Sequence, residues 1–232
     1  KIPVAGTYGV FASGRPWEQI RTLLCYAELN VKIAGAHGGI SVGPDGATHQ
    51  ALEEISLMTV LPNMNLAVPI DSEETRKATL AGLLEVEGPV YWRFAREATP
   101  VVTSEKTPFE WGRANVIRYR GEQPDFAEAF ETKLASAHMN EKEHIAIVSC
   151  GPIMTEAMRA AWILKEEYGV EARLVHLHTV KPFDAAAVVA AADEIGVILS
   201  VEEHQTGGFG NLVAGAVVTR KNPKRAVQMQ MM

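Results

Sequence analysis

Along the first hundred residues the apolar positions follow two rhythms in alternation. Short β-branched or small apolar runs at Ile2–Tyr8, Val31–Ala36, Leu66–Ile70 and Val90–Ala95, bounded by Gly, Pro and polar residues, suit buried strands. Between them Trp17, Ile20, Leu23, Leu24 and Ala27, then Leu52, Ile55 and Met58, then Ala78, Leu80, Leu83 and Leu84 recur at helical spacing. The punctuation agrees. Pro16 sits in a first helical turn, the second helix stops before Pro62, and Asp71 with Glu74 reads as the capping box that starts the third. Strand and helix in alternation predict βαβ units and a parallel sheet.

From Glu97 to Glu143 this order breaks down. Prolines at 100, 108 and 124 and charges of both signs leave only a short helix to expect, around Phe126–Ala137. The rhythm returns with strands at His144–Cys150, Ala172–His176 and Val197–Val201 and helices at Ile153–Tyr168 and Ala185–Ile195. Gly207–Gly210, a tight turn, opens a last helix near Leu212–Val217. The expected fold class is therefore α/β with two domains, each a mainly parallel sheet flanked by helices. Their expected spans are 1–98 and 144–232, joined by a connection over 99–143. Both ends read as cut: the chain enters a strand almost at Lys1 and closes on MQMM straight after another strand-like run.

Composition narrows the function classes. The 232 residues carry a net charge of −6 with signs mixed throughout and no basic stripe, which argues against a nucleic-acid partner. Cys25 and Cys150 fit neither a disulfide framework nor a metal-ligand spacing, and no long apolar run or leader is evident. A reducing, cytoplasmic setting is the expectation.

Chemistry concentrates in residues 36–50, AHGGISVGPDGATHQ, which join a strand to a helix and hold two histidines, one aspartate and four glycines. Such connections at the carboxyl ends of parallel strands are where ligands sit, and long structured loops are functional more often than not. His37 and His49 can pass protons or bind hydroxyls and phosphates; Asp45, acceptor-only when ionised, suits a sugar hydroxyl. The spacings do not follow zinc motifs, and the glycines match neither phosphate-binding fingerprint. Tyr8 and Phe11, three residues apart after the first strand, are either core packing or rings offered to a flat heterocycle. Arg93 and Arg96 suit a phosphate or structural ion pairs equally. His176, His178 and His204 read as structural, at a domain or subunit interface.

TYGVF at 7–11, IAGAHGGISVGPDGATHQALEEI at 33–55, PNMNLAVPIDSEET at 62–75, GPVYWRFAR at 88–96 and VHLHTVKPFD at 175–184 resemble the transketolase family, in particular the carboxyl-terminal subunit of split transketolases. The resemblance implies pyrimidine-binding and C-terminal domains, thiamine diphosphate, a divalent metal (Mg or Ca) and transfer of a two-carbon ketol unit between sugar phosphates, as in the pentose phosphate pathway. It makes Tyr8 and Phe11 the rings that line the aminopyrimidine, and His49 the residue that contacts the donor hydroxyl and aids proton transfer. Asp45 becomes the ligand of a sugar hydroxyl, and His37 and Arg96 the ligands of the substrate phosphate. Tyr8 replaces a phenylalanine, Gly14 stands where the family has a further aromatic residue, and Gly38 where many full-length members have an aspartate. The family's aminopyrimidine glutamate lies upstream of Lys1, and the metal and diphosphate segment belongs to another domain. The resemblance therefore implies a diphosphate-binding partner subunit in a dimer or heterotetramer. A deoxyxylulose phosphate synthase-like enzyme and a non-catalytic partner subunit are the alternatives.

Overall fold

The short apolar runs of the N-terminal half form β1 (Val4–Tyr8), β2 (Lys32–Ala36), β3 (Asn65–Ala67) and β4 (Val90–Arg93), in a computed structural model that describes residues 1–205 and 207–232. They lie in the order β1-β2-β4-β3, and every neighbouring pair is parallel. Their carboxyl ends consequently share one edge, which brings Tyr8, His37 and the Arg93–Arg96 segment together. The connecting helices are α1 (Gly9–Ser13), α2 (Trp17–Gln19) running on as π-helical Ile20–Cys25, α3 (Glu54–Thr59) and α4 (Ser72–Leu84). Asp71 caps α4 by accepting from the Glu74 N–H at 2.9 Å. The returning Glu74 carboxylate accepts from the N–H of Ile70 at 2.7 Å, one residue before the cap.

The second sheet is larger than the sequence rhythm foretold. It takes β5 (Asn115–Tyr119), β6 (Phe130–Leu134), β7 (Ile145–Ser149) and β8 (Ala172–His176), leaves out β9 (Thr179–Lys181), and adds β10 (Val197–Val201) and β11 (Gln228–Met231). The order is β11-β10-β7-β8-β5-β6; β5 is antiparallel to both of its neighbours and the other pairs are parallel. Around it pack α5 (Met154–Tyr168), α6 (Ala185–Glu194) and α7 (Phe209–Thr219). The helix expected over Phe126–Ala137 is corrected to a strand flanked by two short 3₁₀ turns, and the segment read as a connection contributes two strands. Every residue of β5 is buried, Arg118 included. Its guanidinium reaches Glu143 at 2.5 Å and Glu171 at 2.8 Å, so a charge that reads as surface in sequence is neutralised inside.

The two domains meet through an apolar core and a shared sheet. β9 leaves the second domain and pairs antiparallel with β3. One buried cluster runs from Ile55, Met58 and Leu66 through Val148 and Val175 to Val180 and Phe209. Lys181 crosses the junction to donate to the carbonyl of Thr59 at 2.8 Å and to that of Leu61. The histidines expected at an interface are at this one. His176 Nε2 meets the Glu74 carboxylate at 2.8 Å, and His178 stacks on Phe109 with ring centres 4.2 Å apart. Burial lowers the pKa of His178 to about 4. His204 is buried with Nδ1 on the carbonyl of Gln205, whose own N–H donates to Leu52 at 3.2 Å.

Candidate active site

The loop after β2 turns at once. His37 takes φ +63°, which few residues other than glycine adopt. The Gly38 N–H then donates to Phe94 at 3.0 Å, and the Gly39 N–H to Ala51 at 2.9 Å. The chain continues through a short 3₁₀ segment, Ile40–Asp45, broken at Gly43. It closes with the His49 N–H on the Gly46 carbonyl at 3.0 Å. This fold-back sets both loop histidines against Tyr8. Its ring centre is 4.3 Å from that of His37 and 5.3 Å from that of His49, edge to face in each case. Phe11 lies 5.3 Å from His49, and the Arg15 guanidinium covers one face of Phe11 at 4.3 Å.

Charge gathers on the rim of this aromatic cluster. Asp45 Oδ2 accepts from Arg96 Nε at 2.8 Å and stands 3.9 Å from His37 Nε2. All three side chains are partly open, at 23% for His37, 33% for Asp45 and 29% for Arg96, so a ligand can reach each of them. Arg96 also touches Glu97. Thr48 Oγ1 sits 2.8 Å from His49 Nδ1, which leaves Nε2 as the nitrogen for a ligand. The six residues to which the resemblance gives a role, Tyr8, Phe11, His37, Asp45, His49 and Arg96, thus stand in one neighbourhood.

Arg93 is buried beneath the loop. It is 2% exposed, and its Nε donates to Glu54 at 2.5 Å, with Glu203 of the second domain 3.9 Å from Nη1. Burial opposes its charge, but Glu54 and then Cys150 and Glu203 outweigh that, and its pKa is raised. The two arginines that the sequence left equivalent are therefore separated: Arg93 is a buried ion pair, Arg96 a rim residue. Glu54 and Glu203 escaped the sequence reading, because an acid in a short amphipathic helix or a post-strand loop reads as solvated surface. The one available signal was the Gly38-Gly39 doublet, which marks a close approach of backbone to something.

The exposed ring of Tyr8 and the half-buried ring of Phe11, with His49 edge-on, fit a flat heterocycle such as the aminopyrimidine of thiamine diphosphate. A diphosphate finds no counterpart in this loop. Among the described residues no group of three or more His, Cys, Asp or Glu is arranged to hold a metal ion, and no helix is long and apolar enough to cross a membrane. A concavity of about 420 Å³ lies between the start of α4 and residues 94–99 rather than at the histidines.

Comparison with known proteins identifies the family and the fold. The chain matches the transketolase pyrimidine binding domain over residues 1–101 and the transketolase C-terminal domain over residues 135–231. A transketolase C-terminal section of Methanocaldococcus jannaschii is 34% identical over 99% of this chain and 65% of its own length. An apulose-4-phosphate transketolase subunit of Phocaeicola vulgatus is 32% identical over 98% of this chain and 65% of its own. The chain therefore spans about two thirds of the length of these relatives. A solved structure described as a split-gene transketolase, an inactive β4 tetramer, superposes with a TM-score of 0.78 at 36% identity, covering 100% of this chain and 67% of that one. The Campylobacter jejuni transketolase, at 18% identity and a TM-score of 0.67, shares the fold. The chain belongs to the transketolase family and carries its pyrimidine-binding and C-terminal domains.

Proposed function

We propose that this chain is the carboxyl-terminal subunit of a two-chain transketolase, which moves a two-carbon ketol unit from a ketose phosphate to an aldose phosphate. The observation that carries this reading is the convergence of Tyr8, Phe11, His37, Asp45, His49 and Arg96 beyond the carboxyl ends of β1, β2 and β4. Thiamine diphosphate, when bound between the chains, supplies the carbon nucleophile that makes cleavage of the ketose carbon–carbon bond accessible. Tyr8 and Phe11 hold the aminopyrimidine by ring contacts. His49, engaged at Nδ1 by Thr48, exchanges a proton at Nε2 with the donor hydroxyl. Asp45 accepts from a sugar hydroxyl. His37 and Arg96 donate to the phosphate, whose charge competes with the partly solvated carboxylates that Arg96 now touches.

The diphosphate and a magnesium or calcium ion belong to a diphosphate-binding partner subunit, in a dimer or heterotetramer. The inactive β4 tetramer of the split-gene relative supports the need for a partner. The test is ketol transfer by the full chain with thiamine diphosphate and magnesium, with and without the candidate diphosphate-binding subunit. Transfer only in the mixture is expected. No transfer in the mixture overturns the reading, and consumption of pyruvate in place of ketol transfer reassigns the chain to the deoxyxylulose phosphate synthase type.

A further inference from the structure

The His37 turn rests on a buried charge cluster that belongs to both domains. A Cβ added to Gly38 would stand 2.5 Å from Arg93 Nε and 2.8 Å from Glu54 Oε1. One added to Gly39 would stand 2.5 Å from Arg93 Nη2 and 2.8 Å from the Cβ of Glu203. The loop backbone thus lies directly on the guanidinium and its two carboxylates. Gly38, where the family resemblance has an aspartate in many members, is what leaves room for the Arg93 side chain.

The cluster is tied into the second domain. Beside Glu203, Glu202 accepts from the N–H groups of Phe209 and Gly210 at 2.7 Å each, which pins the segment to the start of α7. Gln205 Nε2 donates to Glu53 at 3.2 Å, and Ser56 Oγ donates to the Gly207 carbonyl at 2.7 Å, which pins it to α3. Arg93 Nη2, Glu54 Oε2 and Glu203 Oε2 are buried without a hydrogen-bond partner. Such a cluster is a poor source of stability, and an apolar substitute of equal volume often does better. Fixed geometry is what it supplies here, beneath a histidine held at φ +63°.

We propose that Arg93, hydrogen-bonded to Glu54 of the first domain and faced by Glu203 of the second at 3.9 Å, is a positioning residue that sets the His37 imidazole for the substrate phosphate. The inference rests on the reading of His37 as a phosphate ligand. It also gives the C-terminal domain a part in the site, through Glu203.

Two variants test it in the complete assembly with the diphosphate-binding subunit. Arg93→Lys keeps the charge and loses the planar fork, and Glu203→Gln keeps the shape and serves if the first variant does not fold. In each, KM for a phosphorylated ketose donor should rise about fivefold or more with kcat within about twofold, while KM for a donor lacking the phosphate stays unchanged. A merely structural defect would lower kcat through the active fraction and leave both KM values alone, and that result overturns the proposal, as does an equal rise for both donors. A second readout is independent of turnover. In the histidine-labelled chain, the imidazole resonance of His37, assigned with His37→Asn, should move in both variants, while that of His144, engaged by the Glu171 N–H, stays in place. An unmoved His37 resonance in the folded variants overturns the positioning role. A moved resonance in a chain whose wild-type assembly transfers no ketol unit upholds positioning and overturns only the functional reading.

Discussion

Arg93 and Arg96 are three residues apart at the end of one strand and do opposite things with the same side chain. Arg93 and Glu54 are 2% and 0% exposed, so their attraction is screened by little water and neither can leave without stranding the other. Arg96 and Asp45 are 29% and 33% exposed, and water and salt can stand in for either. Exchangeability separates the two pairs. An open pair can hand its hydrogen bonds to a ligand, whereas a closed pair can only hold a shape. The proposed function makes the rim pair the binding device and the buried pair the frame beneath it.

The largest effect expected from breaking this contrast is on stability at the buried pair. Arg93→Met alone should cost about 3–5 kcal/mol in urea denaturation, because Glu54 is left charged and buried. Arg93→Met with Glu54→Leu should recover most of that loss, since removing both charges removes the penalty.

Next comes acid sensitivity at the other buried junction. Burial holds His178 at about 4 against an ordinary 6.5, so as the pH falls the unfolded chain takes up the proton first. The stability contributed by neutral His178 is whole above pH 6.5 and drains between 6.5 and about 4, by at most about 3 kcal/mol. His178→Phe, which keeps the ring stacked on Phe109, should flatten the stability profile in that window. Burial works against the Glu74 carboxylate, but His176 and its hydrogen bond more than offset this and lower its pKa. Its contribution is present above the ordinary glutamate range and is lost only as the pH falls through that lowered value.

At the rim, Asp45→Ala should leave the urea midpoint unchanged and raise KM for the sugar about tenfold, the cost of one charge-assisted hydrogen bond. Smallest of all is the response to salt. Raising ionic strength from about 0.1 M to 1 M should weaken phosphate-bearing substrates at the rim while leaving the midpoint shift of Arg93→Met as it was.

How much of this the sequence could carry follows the same division. β1, β2, β7, β8 and β10 announce themselves as short apolar runs, and the loop histidines as polar residues where a parallel sheet places ligands. β5 stayed hidden because Arg118 breaks the apolar run, and its neutralising partner Glu143 lies far along the chain. Three-residue β9 pairs with a strand of the other domain, which no local pattern reports. In the same way the rim residues lie within a few positions of one another or of a strand end. The frame joins Glu54, Arg93 and Glu203 from three distant stretches; the two glutamates alone look like surface charges, and Arg93 alone does not reveal its partner. Proximity in space made them a unit.

The measurement that tests the account most directly is the turnover of His49→Ala in the complete assembly, with sedimentation to confirm that the assembly is intact. A positioned proton-transfer group contributes about 10²–10⁴-fold, so kcat should fall by that much while subunit association is unchanged. Turnover equal to that of the unaltered chain would contradict the account and leave the cluster at Tyr8, His37 and His49 without a catalytic role.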